Sequence, residues 1–404
     1  MNIAVSHHPG REQGTPVRLR GGGEIARVEA FDDMAAAEPH WRRLEAGGGV
    51  ATPYQRFDFL AAWQRHVGMR TGITPWIVVG LDDAGEPLFL WPFGRVKKGP
   101  LTVARFLGSK HANFNMGLWR REILPTITAA GLRDMFARVA DGVDLLALLN
   151  QPLSWNGIAN PFGLLPHRPS VDMSMRLTLA RTDDSTINDV LTASMRGRLR
   201  AKERKLQKLS GYRYLQGTTT DEIDRLLESF FALKSTHMAA QGLGNVFAEP
   251  GVPEFLRAAC HYRLPNGRPL IEIHALEGGG EVLALFGATM DSHRFSSMFN
   301  SYTLGGSSRH SPGLILLMHM VTECARRGLR SFDIGVGRAH YKSFFCKEPE
   351  PLVDSFLPLT PRGQLAAPAL RAVFAVKRGI KNNQTVWAAI RALRRLRASR
   401  RSNL

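Results

Sequence analysis

The feature that most constrains this chain is an order of elements that its two halves share. In the second half, segments 270–276, 281–290 and 294–302 have the composition of β-strands, and short Gly- or Asp-containing turns separate them. A Gly/Ser-rich loop follows, and after it come a helical pattern over 314–327 and a strand pattern over 329–334. This succession predicts a mixed sheet with a helix packed on it.

The first half repeats the order. Its predicted elements are strands at 76–81, 87–93 and 103–107, a polar loop at 108–115, a helix at 124–140 and a strand at 144–149. Residues 171–179 alternate like a further strand, which could bridge the halves. We therefore predict an α/β (α+β) fold that arose by duplication of one unit.

Length and composition predict two domains with appendages. The chain has 404 residues, of which 44% are hydrophobic and 22% charged, as in soluble globular proteins. The predicted domains span 24–190 and 191–362, after a disordered leader at 1–23 and before a basic tail at 363–404. Three cysteines stand too far apart for a disulfide framework or a metal site, so we expect a cytoplasmic protein without a bound metal.

The net charge of +18 comes almost entirely from two segments. Residues 196–208 carry seven Lys or Arg against one Glu, and residues 366–404 carry ten basic residues and no acidic one. Together they hold 16 of the 18 excess charges. In the predicted helix 195–209 the charges fall on most faces, which is typical of a solvated helix. Nucleic acid, anionic membranes and phosphorylated ligands are the partners that such segments attract.

Residues 301–345 are the best candidate for chemistry. Ser311 is predicted as the N-cap of a helix and Pro312 as its first residue. A helix start presents unpaired N–H groups and partial positive charge, which suit a phosphate, and Arg309 could add a charge-assisted contact. Taken alone, the loop fits a capped helix after a flexible turn better than a binding site. The strand order around it shifts the balance towards a binding site.

Three stretches of the sequence carry a resemblance to a known family. They are Thr52-Pro53-Tyr54-Gln55, then Ser194-Met195-Arg196-Gly197-Arg198-Leu199-Arg200, and most clearly His310-Ser311-Pro312-Gly313-Leu314 with 328–335 and Tyr341-Lys342-Ser343-Phe344-Phe345. The chain resembles the bacterial GNAT-type acetyltransferases of the BioF2-like group, which includes the CelD/BcsL-like proteins of cellulose biosynthesis. That group is similar in architecture to the Fem aminoacyltransferases.

The resemblance implies two tandem GNAT-like acyl-CoA N-acyltransferase domains, with mixed sheets flanked by helices. It also implies transfer of an acetyl or other acyl group from acyl-CoA to an amine or hydroxyl. The cofactor-binding residues it implies are Arg309, His310, Ser311, Gly313 and Lys342. The usual acetyl-CoA loop of GNAT enzymes reads Arg/Gln-x-x-Gly-x-Gly/Ala, whereas here Arg309 is followed by His, Ser, Pro and a single glycine. Because Fem relatives use aminoacyl-tRNA, that donor stays open as an alternative.

Two residues are candidates for the chemical step. Acyl transfer from a thioester needs a proton acceptor for the amine, a donor for the developing oxyanion and a proton for the thiolate. The resemblance implies that Tyr341 protonates the thiolate. Asp333, at the end of a strand, is a candidate to orient the acceptor or to act as base. A packed aromatic ring and a turn-capping carboxylate are the structural alternatives.

Five further residues are candidates for acceptor binding. Glu272 and His274 alternate on one strand and so share a face, although half-exposed polar residues on an edge strand fit the pattern better. His111, Asn113 and Asn115 lie in the first-half loop equivalent to the CoA loop. That loop has no Gly-Pro helix start, which favours acceptor recognition or simply a hydrogen-bonded surface loop.

The expected partners follow from the residue pattern of the tail and from the family resemblance. Apolar residues between 386 and 396 recur near helical spacing among arginines, which fits an interfacial helix on anionic lipid as well as a disordered tail or a docked helix. We expect a cytoplasmic protein, peripheral at the inner membrane face if the tail binds lipid. Its acceptor would be a small molecule or glycan such as a polysaccharide precursor, and not nucleic acid. The alternatives are a non-catalytic membrane- or nucleic-acid-associated scaffold with a vestigial fold, and Fem-like transfer from tRNA through residues 196–208.

Overall fold

The computed structural model describes residues 25–140, 142–179, 185–337 and 341–383. The strands are β1 (Arg27–Phe31), β2 (Thr74–Leu81), β3 (Pro87–Lys98), β4 (Leu101–Phe106), β5 (Leu118–Trp119), β6 (Leu145–Pro152), β7 (Ser154–Trp155), β8 (Ile158–Ala159), β9 (Arg168–Thr178), β10 (Arg213–Gln216), β11 (Glu272–Gly278), β12 (Glu281–Met290), β13 (Arg294–Tyr302), β14 (Ser331–Val336) and β15 (Glu348–Pro358). The helices are α1 (Met34–Ala46), α2 (Phe57–Trp63), α3 (Ala129–Val139), α4 (Thr186–Val190), α5 (Ala193–Leu206), α6 (Thr220–Ala240), α7 (Val252–His261), α8 (Pro312–Arg326), α9 (Lys342–Phe345) and α10 (Pro361–Asn382).

One mixed sheet runs through the described part of the chain. Its strand order is β1-β2-β3-β4-β6-β15-β9-β14-β13-β12-β11-β10, and β5 pairs with β3 as the thirteenth strand. In each half one parallel pair follows a set of antiparallel strands: β4 with β6, and β13 with β14. The predicted α/β (α+β) class with a mixed sheet flanked by helices is confirmed.

The two halves exchange strands at the centre of the sheet. β9, which ends the first half, pairs with β14 of the second half, and β15, which follows β14, pairs with β6 of the first half. β9 and β15 also pair with each other. The predicted bridging strand at 171–179 is therefore present, and each half takes a strand from the other.

Two apolar clusters cover the sheet. The first contains a group of packed aromatic rings, in which Trp91 lies 4.5 Å from both Phe89 and Phe136 between ring centroids. It reaches across the halves where Phe59 of α2 meets Phe255 of α7 edge-on. The second cluster packs α8 on the other face, against residues such as Phe295 and Phe332. The burial of these large aromatic rings on both faces stabilises the sheet.

Several local predictions need correction. The helix predicted at 124–140 is a 3₁₀ segment at Arg121–Thr126 followed by α3. The sequence also predicts a helix over 221–240 with Asp221 as its N-cap, whereas the N-cap of α6 is Thr219, which forms a capping box with Glu222.

The ends of the chain are only partly described. The predicted leader 1–23 and the tail residues 384–404 lie outside the described residues. The described part of the tail is α10, which docks on the sheet, with Phe374 5.2 Å from Phe356 between ring centroids. Within the described ranges, no helix has both the length and the apolar character needed to cross a bilayer.

Candidate active site at the β13–β14 wedge

The candidate site forms where the parallel strands β13 and β14 separate. They pair only from Arg294–Ser296 to Ser331–Asp333, and diverge beyond these residues. A bulge that leaves Met298 without a partner on β12 bends β13 just past the last pair. The result is a wedge at the carboxyl ends of both strands, with α8 starting after β13.

The start of α8 differs from the prediction in its cap. Ser311 has a left-handed backbone with φ of 56°, and its side chain makes no capping hydrogen bond. Instead, the ammonium group of Lys202 on α5 donates to the Ser311 hydroxyl at 2.8 Å. Pro312 is the first helical residue, as predicted. The Leu314 N–H donates to the Ser311 carbonyl at 3.0 Å and Pro312 has no N–H, so the Gly313 N–H is the first-turn donor that remains available to another acceptor.

Four basic residues surround this helix start. Lys202 and Lys205 come from α5, while Arg309 and His310 come from the turn before α8. Arg309 Nε donates to His310 Nε2 at 3.3 Å. Burial, and then the charges of Arg309, Lys205 and Lys202, lower the pKa of His310, so its ring is neutral at pH 7. On the face that carries Lys202, α5 is therefore not the ordinary solvated helix that its charges predicted.

Tyr341 closes the other side of the wedge. Its hydroxyl accepts a hydrogen bond from Asn300 Nδ2 at 3.1 Å, which joins the segment after β14 to the end of β13. Burial raises the pKa of Tyr341 to about 12, so the phenol keeps its proton across the neutral range. Lys234 of α6 donates to the Asn300 carbonyl at 3.1 Å, and burial lowers the pKa of this amine. The Tyr341 proton is thus free to be donated to a group in the wedge.

His237, one turn after Lys234 on α6, is buried against the last residues of β13. Its Nδ1 lies 3.0 Å from Ser301 Oγ, and its Nε2 is buried without a hydrogen-bond partner. Burial lowers its pKa, so the ring is neutral at pH 7. When Nδ1 carries the proton, the Nε2 lone pair can accept another.

Asp333 is fully buried below the wedge, with 0% of its surface exposed. Its Oδ2 accepts from Arg294 Nε at 2.8 Å, and its Oδ1 accepts from Ser296 Oγ at 3.1 Å and from the Gly335 N–H at 2.8 Å. Arg294 also forms a bidentate pair with Glu350 of β15, at 2.8 and 2.6 Å. Both Asp333 oxygens therefore accept hydrogen bonds within a network that joins β13, β14 and, through Arg294, β15. This geometry favours a structural role over that of a base.

The same network extends into the first half through Tyr54. The Tyr54 hydroxyl lies 2.8 Å from Ser296 Oγ and accepts from Asn113 Nδ2 at 3.0 Å. Asn113 also donates to the Ser297 carbonyl at 2.8 Å. The Arg294 guanidinium lies 4.2 Å from the ring centroid of Trp155. Asn113 is therefore brought to the wedge, but as part of the contact between the halves.

Lys342 is turned into the protein. Its ammonium donates to the carbonyls of Gly335 and Val336 at 2.9 and 3.2 Å, and burial lowers its pKa to about 8. Those carbonyls end β14, and Gly335 holds a φ of 73° there. A Cβ at this position would lie 2.5 Å from the Ser297 carbonyl oxygen, so glycine is required. The geometry favours a role for Lys342 in holding the strand end rather than a cofactor phosphate.

The other predicted residues of the first-half loop lie near the point where β4 and β6 of that half separate. Asn115 is buried and donates to the Leu149 carbonyl at 3.1 Å, beyond the two pairs that join β4 and β6. His111 accepts a hydrogen bond from Trp63 Nε1 at 3.0 Å, and burial lowers its pKa to about 4. These contacts pack the loop against the first half. At the α8 start, a Cβ at Gly313 would be in van der Waals contact with the Tyr302 ring, at 3.8 Å.

Glu272 and His274 lie at the opposite end of the second half. Both are buried on β11, and β10 covers the edge, so the prediction of half-exposed edge residues is wrong. Glu272 accepts two hydrogen bonds from Arg327, both at 2.8 Å. Arg327 follows the last residue of α8, whereas Ser311 precedes the first. A 15-residue helix spans about 22 Å, so this pair does not share the wedge.

Lys234 and His237 are polar residues packed against the end of β13 that the sequence prediction does not include. The apolar stripe of α6 contains Ile223, Leu226 and Phe230, and continues at helical spacing into these two polar residues. Polar groups on the buried face of a helix are costly unless they are used or paired. That break in the stripe was the available signal.

Comparison with known proteins gives the fold a family context. Residues 193–343, just over a third of the chain, match the family model described as an acetyltransferase (GNAT) domain. The crystal structure of FemX aligns with a TM-score of 0.53 at 9% identity, and the alignment covers 83% of this chain and 99% of FemX. At this identity the likeness concerns the fold.

Two other structures align less closely. The C-terminal domain of a putative lysylphosphatidylglycerol synthetase from Agrobacterium fabrum has a TM-score of 0.48, at 12% identity over 84% of this chain and 96% of its own. A tandem GNAT protein from the clavulanic acid biosynthesis pathway has a TM-score of 0.40, at 11% identity over 83% and 99%. No curated protein matches the sequence significantly. Residues 193–343 thus match a GNAT acetyltransferase domain, and this match supports a transferase activity for the protein.

Proposed function

We propose that the protein transfers an acetyl or longer acyl group from acyl-CoA to an amine or hydroxyl of a small molecule or polysaccharide precursor, as the resemblance to the BioF2-like group implies. One observation carries this proposal. The basic residues around the α8 start stand at the same end of the sheet as Tyr341 and the wedge. A donor with phosphates at one end and a reactive thioester at the other fits that arrangement.

The α8 start is suited to the phosphates of CoA. The Gly313 N–H and the partial positive charge of the helix start favour an anion, and Lys202, Lys205 and Arg309 add full charges beside it. The pantetheine arm then enters the narrow wedge between β13 and β14, beside Met298, which the bulge leaves without a partner on β12.

Three side chains would serve the chemical step. The acceptor's nitrogen or oxygen lone pair attacks the thioester carbonyl carbon, the C–S bond breaks, and the electron pair leaves on sulfur. Neutral His237 takes the proton that the acceptor loses. The protonated Tyr341 phenol donates a hydrogen bond to the departing sulfur, with its position fixed by Asn300. The proton on His237 then passes to the thiolate.

Thermal-shift measurements with acetyl-CoA, longer acyl-CoAs and free CoA test this proposal. A ligand that binds the native state raises the melting temperature, so no shift with any CoA species would refute it. Arg309→Ala should weaken CoA binding by about tenfold, a loss of about 1.4 kcal/mol, because one charge-assisted contact is removed. Arg133→Ala, on the exposed face of α3, is the matched control and should bind normally.

Mutation of Tyr341 separates binding from chemistry. Tyr341→Phe should leave the CoA affinity unchanged and lower turnover by about 100-fold, the lower range for the loss of one positioned hydrogen-bond donor to developing negative charge. A Tyr341→Phe enzyme with normal turnover would remove this residue from the mechanism.

Transfer from aminoacyl-tRNA is a second candidate, because the fold aligns with FemX and because α5 exposes several basic side chains. These are Arg198, Arg200, Arg204 and Lys205. An RNA donor would bind with an affinity that falls steeply with salt. Filter binding of charged tRNA at 50 and 200 mM salt distinguishes the donors, since a protein that binds acyl-CoA but not tRNA excludes this alternative.

A further inference from the structure

A second cleft lies between the two halves, at the end of the sheet opposite the wedge. It has a volume of about 980 Å³, and its walls come from Arg42 and residues 51–58 on one side and from residues 264–268, the turn 290–292 and Arg327 on the other. The turn precedes β13 and Arg327 precedes β14, whereas the wedge opens after the paired part of both strands. The paired part is three residues long, about 10 Å, and it separates the cleft from the wedge.

Much of the cleft wall is apolar. Leu118 from the first half faces Leu264, Pro265 and Leu329 from the second. A cleft of several hundred cubic ångströms, with apolar walls and a few polar groups, has the size and character of a site for a metabolite.

Most of the charged groups around the cleft are paired within the protein. Arg42 forms a bidentate pair with Asp58 and also donates to Glu45 at 3.3 Å. Arg327 forms its bidentate pair with Glu272. The carboxylates of the protein therefore already neutralise these two guanidinium groups, which leaves them poorly suited to bind an anionic ligand.

The remaining carboxylate of the cleft, Asp291, is saturated with hydrogen bonds. Each of its two oxygens accepts two of them, and the four donors are the backbone N–H groups of His293 and Arg294 and the side chains of Trp155 and Asn156. Because its oxygens are filled by neutral donors, it does not form an ion pair with a cleft arginine.

Two arginines in the cleft, Arg56 and Arg268, are left without a carboxylate partner. Among the described residues, no carboxylate lies within ion-pair distance of either guanidinium. Arg56 Nη1 is buried and has no hydrogen-bond partner, and the hydrogen bond of Arg268 is to the Met290 sulfur at 3.5 Å, a weak acceptor. Burial lowers the pKa of Arg56 most strongly. The charges of the more distant carboxylates Asp291, Glu45 and Asp58 oppose this shift, and the charge of Arg268 adds to it. Two neighbouring unpaired guanidinium groups at a cavity wall are costly unless an anion satisfies them.

We propose that this cleft binds an anionic small molecule with two oxyanion groups, phosphate or carboxylate, held by Arg56 of the first half and Arg268 of the second. Each guanidinium supplies the planar fork that binds such groups through two hydrogen bonds. The ligand contacts both halves, so its binding stabilises their arrangement. Since it lies at the far end of the sheet from the α8 start, it is not the acyl donor.

Titration calorimetry of the full chain with pyrophosphate and, separately, citrate tests the proposal. All titrations use a Lys202→Gln/Arg309→Ala background, which removes charge from the α8 start. Adding Arg56→Gln or Arg268→Gln should weaken binding at least tenfold, as expected for the loss of a charge-assisted pair. Adding Arg133→Gln, which removes an exposed charge on α3, should change binding less than twofold. Preference for pyrophosphate or for citrate identifies the oxyanion.

The stability of the ligand-free protein provides an independent test of the proposed anion site. Because the buried Nη1 of Arg56 has no hydrogen-bond partner, Arg56→Met should raise the urea midpoint of the ligand-free protein while abolishing anion binding. An arginine that merely supports the fold would lower the midpoint on removal. The proposal is overturned if neither anion binds the background protein, or if the Arg56, Arg268 and Arg133 variants bind equally.

Discussion

Asp333 provides the sharpest test of how the wedge is built. Asp333→Asn keeps the shape of the side chain and removes its charge. The amide has one oxygen, whereas the carboxylate accepts from Arg294 on one side and from Ser296 and Gly335 on the other. In either orientation the amide N–H₂ faces a donor, and Arg294 loses one of its two anionic partners. Breaking a fully buried ion pair costs about 3–5 kcal/mol.

Urea unfolding followed by tryptophan fluorescence measures this loss. With an m value of about 3 kcal/mol/M, the midpoint should fall by about 1 to 1.7 M. Asp134→Asn, at an exposed position on α3, is the control and should leave the midpoint unchanged. If Asp333→Asn unfolds within about 0.3 M of the wild type, a stability change of about 1 kcal/mol, and yet has no turnover, the structural account is refuted and Asp333 acts in catalysis.

Three further predictions concern the strand end and the tail. Gly335→Ala should destabilise the protein by at least about 2 kcal/mol in urea unfolding, because the Cβ meets the Ser297 carbonyl at a left-handed backbone position; wild-type stability would contradict this. Lys342 has its pKa lowered to about 8 in the folded chain, so the folded state binds fewer protons than the unfolded state between pH 8 and 10.5 and its stability rises with pH there. The unfolding free energy of the wild type minus that of Lys342→Met should therefore increase by about 2 kcal/mol from pH 7.5 to pH 10, and a constant difference would show that Lys342 is not buried as a cation. Removing residues 384–404, which carry six basic residues, should reduce co-sedimentation with phosphatidylglycerol liposomes, and equal binding by both chains would refute the lipid role.

The elements that the sequence predicts well are those with strong local signals. The hairpin of β2 and β3, the three strands β11 to β13 and the helix start at Pro312 all follow from turn residues and periodicity. α7 has an equally clear apolar stripe, with Val252, Phe255 and Ala259 buried, so this helix was predictable from the sequence as well.

β15 is different, because its sequence argues against a strand. It begins Glu-Pro-Glu-Pro, and proline cannot donate to a sheet ladder. Pro349 and Pro351 nevertheless lie opposite Met175 and Met173 of β9. The strand forms because residues 352–358, which carry most of its apolar side chains, pair with β6. That partner comes from the other half of the chain, so local pattern could not reveal it.

The candidate site likewise combines features that local sequence predicts with contacts that depend on distant residues. The helix start was predictable from Ser311, Pro312 and Gly313, but its stabilising partner, Lys202, lies 109 positions earlier in the chain. Likewise, the buried Asp333 is paired with Arg294, which is paired in turn with Glu350 of the exchanged strand β15. Candidate side chains can be read from sequence, whereas their pairing is a property of the tertiary structure.

Strand exchange gives the second half a dependence on the first that can be tested. β14 pairs with β13 over only three residues, and its other edge is covered by β9, which precedes the predicted domain boundary at 190. A fragment spanning 191–362 therefore leaves that edge of β14 unpaired, and an unpaired interior strand edge favours aggregation.

Extending the fragment to 165–362 restores β9 beside β14 and beside the first part of β15. We expect the longer fragment to be more soluble, more resistant to proteolysis and able to bind CoA, while the shorter one aggregates. If the 191–362 fragment is a stable monomer with the CoA affinity of the full chain, the wedge does not need β9 and the exchanged strand serves only to join the halves. If neither fragment folds but the full chain does, the network from Asp333 through Ser296 to Tyr54 is also required, since both fragments lack Tyr54.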